Sequence, residues 1–268
     1  MADYREYGLN SVPREERRLT GWDMIVIWGG ISFCLPTFLI GALPVPGLSW
    51  GEALLVNAAG NFICAVLIGF AGYGGVRHGL AAVKLAERVM GPLFGRLVSS
   101  LAVFFSAAGW FGILLAMTVE GVAGVFGLGG LRTPLTIGLG VAMTMTAAAG
   151  HSRLLLCDKI AMPLLAVVMA AYAGVVLKDA PALWQVSYTP TAETSFAIVL
   201  NLIVGGYITG AFCAADFSRY AGSLRANWWG MVIGVFAVSM MLSILAMYAK
   251  LLSGEWNPIT AVYSTGMG

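Results

Sequence analysis

The chain has 268 residues, 59% hydrophobic and only 10% charged, with a mean hydropathy of +0.85 and a net charge of +2. Soluble domains carry about 25% charged residues, so too few charges remain here to clothe a water-facing surface, and neither a soluble enzyme nor a disordered chain fits. Fifteen basic against 13 acidic residues leave no electrostatic footprint for nucleic acid. The apolar runs are long and mostly continuous, without the alternation of barrel strands, so the fold class is an all-α integral membrane protein.

Seven spans are predicted, at about 22–42, 52–73, 97–120, 133–150, 159–177, 194–214 and 229–252. A charged segment, 1–21, precedes the first. That first span contains Gly29-Gly30-Ile31-Ser32-Phe33-Cys34-Leu35-Pro36-Thr37. A mid-span proline removes a backbone hydrogen bond, and the glycines and Ser32 ease unwinding; these residues alone leave a simple kink and a functional break both open. Pro44 and Pro46 end the span. In the second, Asn57 and Asn61 share a face at i, i+4 spacing and suit hydrogen bonds between helices. Arg77 to Arg96 mixes Lys84, Glu87 and Arg88 with Leu80, Val83, Leu85 and Val89, as a short interfacial helix does.

The third span sets Trp110 among small residues near mid-membrane, where it and Tyr207 would wall a flat ring; ordinary packing is the alternative. Glu120 reads as a solvated carboxylate at the outer end. The sixth span carries its own weak stretch, Gly205-Gly206-Tyr207-Ile208-Thr209-Gly210. It begins five spans after the first, an odd offset, so two five-span repeats would run in opposite directions. Interrupted helices at matching positions of inverted repeats mark a mid-membrane transport site. On this scheme 22–177 is the first repeat and 178–252 the start of a second. At the end of span six, Asp216 and Arg219 are spaced for an ion pair, either a gate or a helix-end anchor.

Among the 15 basic residues, all but Arg132, Lys178 and Lys250 fall on one side of this arrangement. The positive-inside rule then places the N-terminus in the cytoplasm and the tail 253–268 outside the cell membrane. Cys34, Cys64, Cys157 and Cys213 lie far apart in or beside apolar runs and read as buried small hydrophobes. Trp22, Trp50, Trp228 and Trp229 stand at span ends as an interfacial belt. No nucleophile with a base, metal-ligand set or phosphate loop is present, so an enzyme is not expected, nor a cofactor.

These residues together resemble a known family, the purine–cytosine permeases of nucleobase:cation symporter family 1. The resemblance rests on Tyr7-Gly8-Leu9-Asn10, Pro13 and Glu15-Glu16-Arg17-Arg18, on Trp22, and on Gly47-Leu48-Ser49-Trp50. It continues through Asn61-Phe62, Gly69, Gly72-Tyr73 and Gly79-Leu80 to Gly109-Trp110-Phe111-Gly112 and Ala215-Asp216-Phe217-Ser218-Arg219-Tyr220. It implies a five-plus-five inverted-repeat core that takes up a nucleobase or similar flat heterocycle with sodium or a proton. Trp110 and Tyr207 would then stack on the ring, with Ser32, Cys34, Thr37, Gly206 and Thr209 around it. Gly30 and Phe33 would offer backbone contacts to sodium. Cytosine permeases have a glutamine where this chain has Ala107. The family has twelve spans, so the resemblance makes this chain a truncated form ending after the seventh, without the eighth that completes the ion site. The alternative is a seven-helix membrane protein that binds or signals without transporting.

Overall fold

The computed structural model describes residues 7–178, 180–254 and 257, without the side chains of 151–155. The first apolar run does not form one rod. Thr20 opens α1 (Gly21–Ser32) with a capping box: its hydroxyl accepts the Asp23 N–H, and the Asp23 carboxylate accepts the Thr20 N–H at 2.9 Å. The helix stops at Phe33, and α2 (Leu35–Ala42) leaves at 67° to it. Pro36 sits in the first turn of α2, where a missing N–H costs nothing. The proline therefore starts a helix instead of kinking one.

Seven of the remaining helices follow as α3 (Trp50–His78), α4 (Ala82–Met90), α5 (Pro92–Phe126), α6 (Arg132–Ala148), α7 (His151–Val176), α8 (Phe196–Tyr207) and α9 (Gly210–Ser218). A last rod joins α10 (Leu224–Trp229), a π-helical stretch Gly230–Ala237 and α11 (Val238–Ser253). Among the described residues, five helical stretches are long and apolar enough to cross a bilayer, and the bent pair α1–α2 makes a sixth. The expected fourth span is α6, whose 17 residues reach about 25 Å against a hydrocarbon core of about 30 Å. The expected interfacial helix is α4. There Glu87 pairs with Lys84 at 2.7 Å and Arg96 at 2.9 Å, and both hold its carboxyl below the ordinary glutamate range. The expected outer tail, 253–268, lies outside the described residues apart from Ser253, Gly254 and Asn257.

The core forms where α1, α3, α9 and the π-helical stretch meet. Trp28, Met24, Ile68, Ala214 and Met231 are buried there together. Close approach is set by glycine: a Cβ on Gly234 would lie 2.9 Å from the Gly29 nitrogen of α1. Such small-residue contacts are how membrane helices gain dispersion energy without a hydrophobic drive. A second cluster joins Phe38 of α2 to Met169 and Tyr172 of α7 and Leu242 of α11. Outward, α5 and α6 leave most of their apolar side chains exposed.

The N-terminal segment is stitched to this core. Leu19 bridges Ala221 in parallel, and Arg17 donates to the carbonyls of Val12 and Val76 at 2.9 Å each. Arg219 donates to the Gly8 carbonyl at 2.6 Å, and Asp216 accepts the Ala82 N–H at 3.2 Å. No ion pair joins Asp216 to Arg219 among the described residues. Each engages backbone instead, Arg219 at Gly8 and Asp216 at Ala82, as a helix-end anchor does.

Two surface expectations are corrected. Trp50 is buried and its indole N–H donates to the Leu183 carbonyl at 2.7 Å, so it belongs to the core, whereas Trp22 and Trp229 are exposed. Cys157 is exposed, unlike buried Cys64 and half-buried Cys34 and Cys213; all four are free thiols. Asn57 bonds between helices as expected, donating to the Gly41 carbonyl of α2 at 3.1 Å. Glu120 is exposed, but Arg132 pairs with it at 2.8 Å.

Candidate functional site

The break between α1 and α2 opens onto a cavity of about 280 Å³, closed by α5, by α8–α9 and by the core face of α3. Small-molecule pockets run from about 300 Å³ upward, so this one suits a small ligand. Ser32, Cys34, Thr37, Trp110, Gly206, Tyr207 and Thr209, the seven residues expected at a substrate site, all line it. They come from four helices and the junctions between them.

Hydrogen bonds lock the walls. Tyr207 donates its hydroxyl to Thr37 Oγ1 at 2.6 Å, and Thr37 donates onward to the Ser32 carbonyl at 2.6 Å. The side chain at the start of α2 thus satisfies a carbonyl at the end of α1, where the helical ladder has stopped. Cys34 Sγ lies 3.3 Å from the same hydroxyl. On the other wall, the Trp110 indole N–H donates to Thr209 Oγ1 at 2.8 Å. α5 is thereby tied to the junction of α8 and α9.

That junction is milder than the one in the first span. Phe196–Ser218 counts as one span, and Ile208 and Thr209 keep right-handed helical dihedrals. What changes is the bond spacing: Ala211 N–H reaches the Ile208 carbonyl and Phe212 N–H the Thr209 carbonyl, three residues back instead of four. The weak stretch at Gly205–Gly210 tightens the helix locally; it does not break it as Phe33–Cys34 does.

Gly30 and Phe33, the expected sodium contacts, do not line the cavity. The Gly30 carbonyl accepts the Phe33 N–H at 3.3 Å, Gly30 faces α7, and Phe33 packs on the cluster of Phe38, Tyr172 and Leu242. Sequence reasoning missed Trp28 and Phe217, which also line the cavity and meet edge to face at 5.8 Å. Trp28 Nε1 is buried with no partner, a donor in reserve on a lining residue. Its place two residues before Gly30 was the available signal. Among the described residues, no charged side chain lines the cavity. Its polar groups are hydroxyls, the thiols of Cys34 and Cys213, and indoles, so it is built for a neutral ligand with an apolar face.

With that geometry established, the likeness to known proteins is informative. The cytosine permeases of Escherichia coli strain K12 and of Escherichia coli O157:H7 are each 28% identical to this chain over 232 residues, covering 84% of it and 53% of their own length. The chain therefore spans about half the length of the curated relatives it matches. Mhp1, a nucleobase-cation-symport-1 family transporter solved in a closed conformation with bromovinylhydantoin bound, superposes with a TM-score of 0.79 at 19% identity, over 98% of this chain and 62% of that one. The shared property there is the all-α membrane fold. Residues 11–264 match the family of permeases for cytosine/purines, uracil, thiamine and allantoin, and the chain belongs to that family.

Proposed function

We propose that this chain binds a neutral, flat heterocycle of the nucleobase type in the cavity beside the α1–α2 break, as part of a cation-coupled permease working by alternating access. The observation that carries the reading is the cavity's chemistry: aromatic side chains and hydroxyls, with no charged side chain among the described residues, at the sharply broken first span. Trp110 and Tyr207 supply ring faces, and Ser32, Cys34, Thr37, Gly206 and Thr209 complete the walls. Coupling follows when cation and substrate favour the same closed state, because each then tightens the other's site. Sodium or a proton fills that role, and the residues 22–177 and 178–252 form one five-helix repeat and the start of its inverted partner.

Binding of radiolabelled cytosine, uracil, hypoxanthine and allantoin to the purified chain in detergent tests this. Saturable binding of at least one is expected, with competition by neutral analogues. Orotate, a carboxylated pyrimidine, is expected not to compete, since burying an unpaired carboxylate is prohibitively costly. Absence of any saturable binding, or equal competition by orotate, would sink the reading.

The same reading puts the protein in the cell membrane, plasma or inner, with its N-terminus in the cytoplasm. A single cysteine at exposed Trp184, in the connection between the fifth and sixth spans, in a chain freed of its native thiols should react with an impermeant maleimide in intact cells. Cysteines in α4 should react only after permeabilisation. The reverse pattern would overturn the orientation.

A further inference from the structure

Asp216 stands in the last turn of α9, the negative end of that helix dipole, where a carboxylate is out of place. Its partner explains the position. Asp216 Oδ1 accepts the Ala82 N–H at 3.2 Å, and Ala82 is the first residue of α4. Ala81, the residue before it, has no side chain able to cap a helix, and α4 carries no acid in its first turn. A carboxylate 134 positions further along the chain thus supplies α4 with its N-terminal cap. The positive end of α4 in turn offsets the charge that α9 disfavours.

α4 passes that hold on to α5. The chain turns at Gly91, where φ is +85°, and α5 packs against α4. Gly95 lies directly against the Ala86 carbonyl with no room for a Cβ, and Arg96 pairs with Glu87 at 2.9 Å. Further along α5, the Trp110 indole N–H reaches Thr209 Oγ1 at 2.8 Å. Thr209 and Asp216 are seven residues apart and so lie on one side of α9. α5 is therefore tied to α9 at two heights, directly at Trp110 and through α4 at Asp216. Between the ties, Val103, Ser106 and Ala107 of α5 and Cys213 and Phe217 of α9 line the cavity.

We propose that Asp216 is a positioning residue for the heterocycle cavity: by capping α4 it clasps α5 to α9 and closes the seam between them. One hydrogen bond at Trp110 leaves α5 free to pivot about it. A second attachment, about 10 Å further along α9, removes that freedom. Release of the cap lets the α4 end of α5 part from α9 and turns the Trp110 ring away from Tyr207. The role at the heterocycle rests on the binding proposed above, whereas the clasp is testable without any heterocycle.

The native Cys213 thiol, half-buried in the seam, is the reporter. Its reaction with N-ethylmaleimide is followed in the purified 268-residue chain, with the other three cysteines replaced by alanine. Asp216→Ala removes the acceptor. Ala82→Pro removes the donor from the other side, at the first helical position, where a missing N–H is tolerated. Ala81 already has the extended backbone, ψ 156°, that precedes a proline. Both variants are expected to speed labelling roughly tenfold or more, as loss of a hydrogen bond to a charged group shifts a local opening. Asp216→Asn keeps an accepting oxygen and is expected to stay within about threefold of the native rate. Binding of radiolabelled cytosine, uracil, hypoxanthine and allantoin, measured alongside, should weaken roughly fivefold in Asp216→Ala and Ala82→Pro and recover in Asp216→Asn. A native labelling rate in either of the first two variants, or Asp216→Asn as fast as Asp216→Ala, would overturn the clasp; if one of the first two does not fold, the other decides. So would an equal acceleration in a chain keeping only Cys64, buried in the core face of α3, since that would mean general loosening. Native heterocycle affinity in a variant whose seam has opened removes the positioning role. Absence of heterocycle binding by the native chain, with Cys213 behaving as expected, removes the substrate reading and leaves the clasp.

Discussion

Trp110→Ala is expected to weaken heterocycle binding by about 2 kcal/mol, roughly thirtyfold, with little change in the unfolding midpoint. Two losses add. The indole face is removed from the cavity, and Thr209 loses the donor that ties α5 to the α8–α9 junction at 2.8 Å. Stability should be spared because Trp110 is only partly buried, on a helix that packs loosely against the rest. Tyr207→Phe separates ring from hydroxyl. A role in stacking alone would leave it mild. Its hydroxyl, however, holds Thr37, which in turn holds the Ser32 carbonyl. Losing one such bond costs about 1 kcal/mol, so an affinity loss of roughly fivefold is expected from the phenylalanine variant. Equilibrium binding of the best radiolabelled ligand measures both; unaltered affinity in Trp110→Ala would make that residue a packing element only.

The largest stability effect is expected at Gly41. A Cβ there would lie 2.5 Å from the Cα of Ser243 and 2.8 Å from its Cβ, so the α2 and α11 backbones themselves would have to part. The Gly41 carbonyl also accepts from Asn57, which is fully buried. Overpacking costs about 1–3 kcal/mol, and the lost bond from Asn57, whose amide keeps the Ala53 carbonyl at 3.2 Å, about 1 kcal/mol more. Gly41→Val should accordingly lower the unfolding midpoint steeply, followed by circular dichroism in detergent. Gly51 is the control: nothing lies within 4 Å of a Cβ there. Alanine at an exposed helical glycine is worth about 0.5–1 kcal/mol in the other direction. A valine at 41 tolerated as well as an alanine at 51 would contradict the α2–α11 packing.

The sequence disclosed the apolar runs because hydrocarbon imposes a length on them, and α3, α5 and the rod ending in α11 each contain a predicted span. It disclosed the cavity residues because aromatic and hydroxyl side chains beside glycines are conspicuous in an apolar chain. Hydropathy could not supply the direction of side chains. Trp50 stands at a helix start, where an interfacial tryptophan would stand, yet it meets Tyr248 and Leu183 inside the protein. A boundary was also misplaced: a span beginning at 159 leaves Asp158 in the connection, whereas α7 begins at His151 and sets Asp158 beside Gly30. The proline at 36 was visible, but not that it would open α2; only the backbone at Phe33 and Cys34 decides that.

The π-helical stretch Gly230–Ala237 bears on how this chain should be aligned with its relatives. Buried positions there come as pairs, Ala226 with Asn227, Gly230 with Met231 and Gly234 with Val235, followed by Ser239, a spacing of four to five residues that is wider than the α-helical turn. The wider turn keeps one face of the rod against α1 where an α-helix would drift away. Such a stretch behaves as an α-helix that has absorbed one extra residue. Removing one residue between 230 and 237 would restore α geometry and leave Ser239 and Ser243 on the faces they now bury, because the wider turns already absorb the extra residue. A relative one residue shorter here thus presents the same faces of its seventh span to the first, and the gap in such an alignment belongs within 230–237.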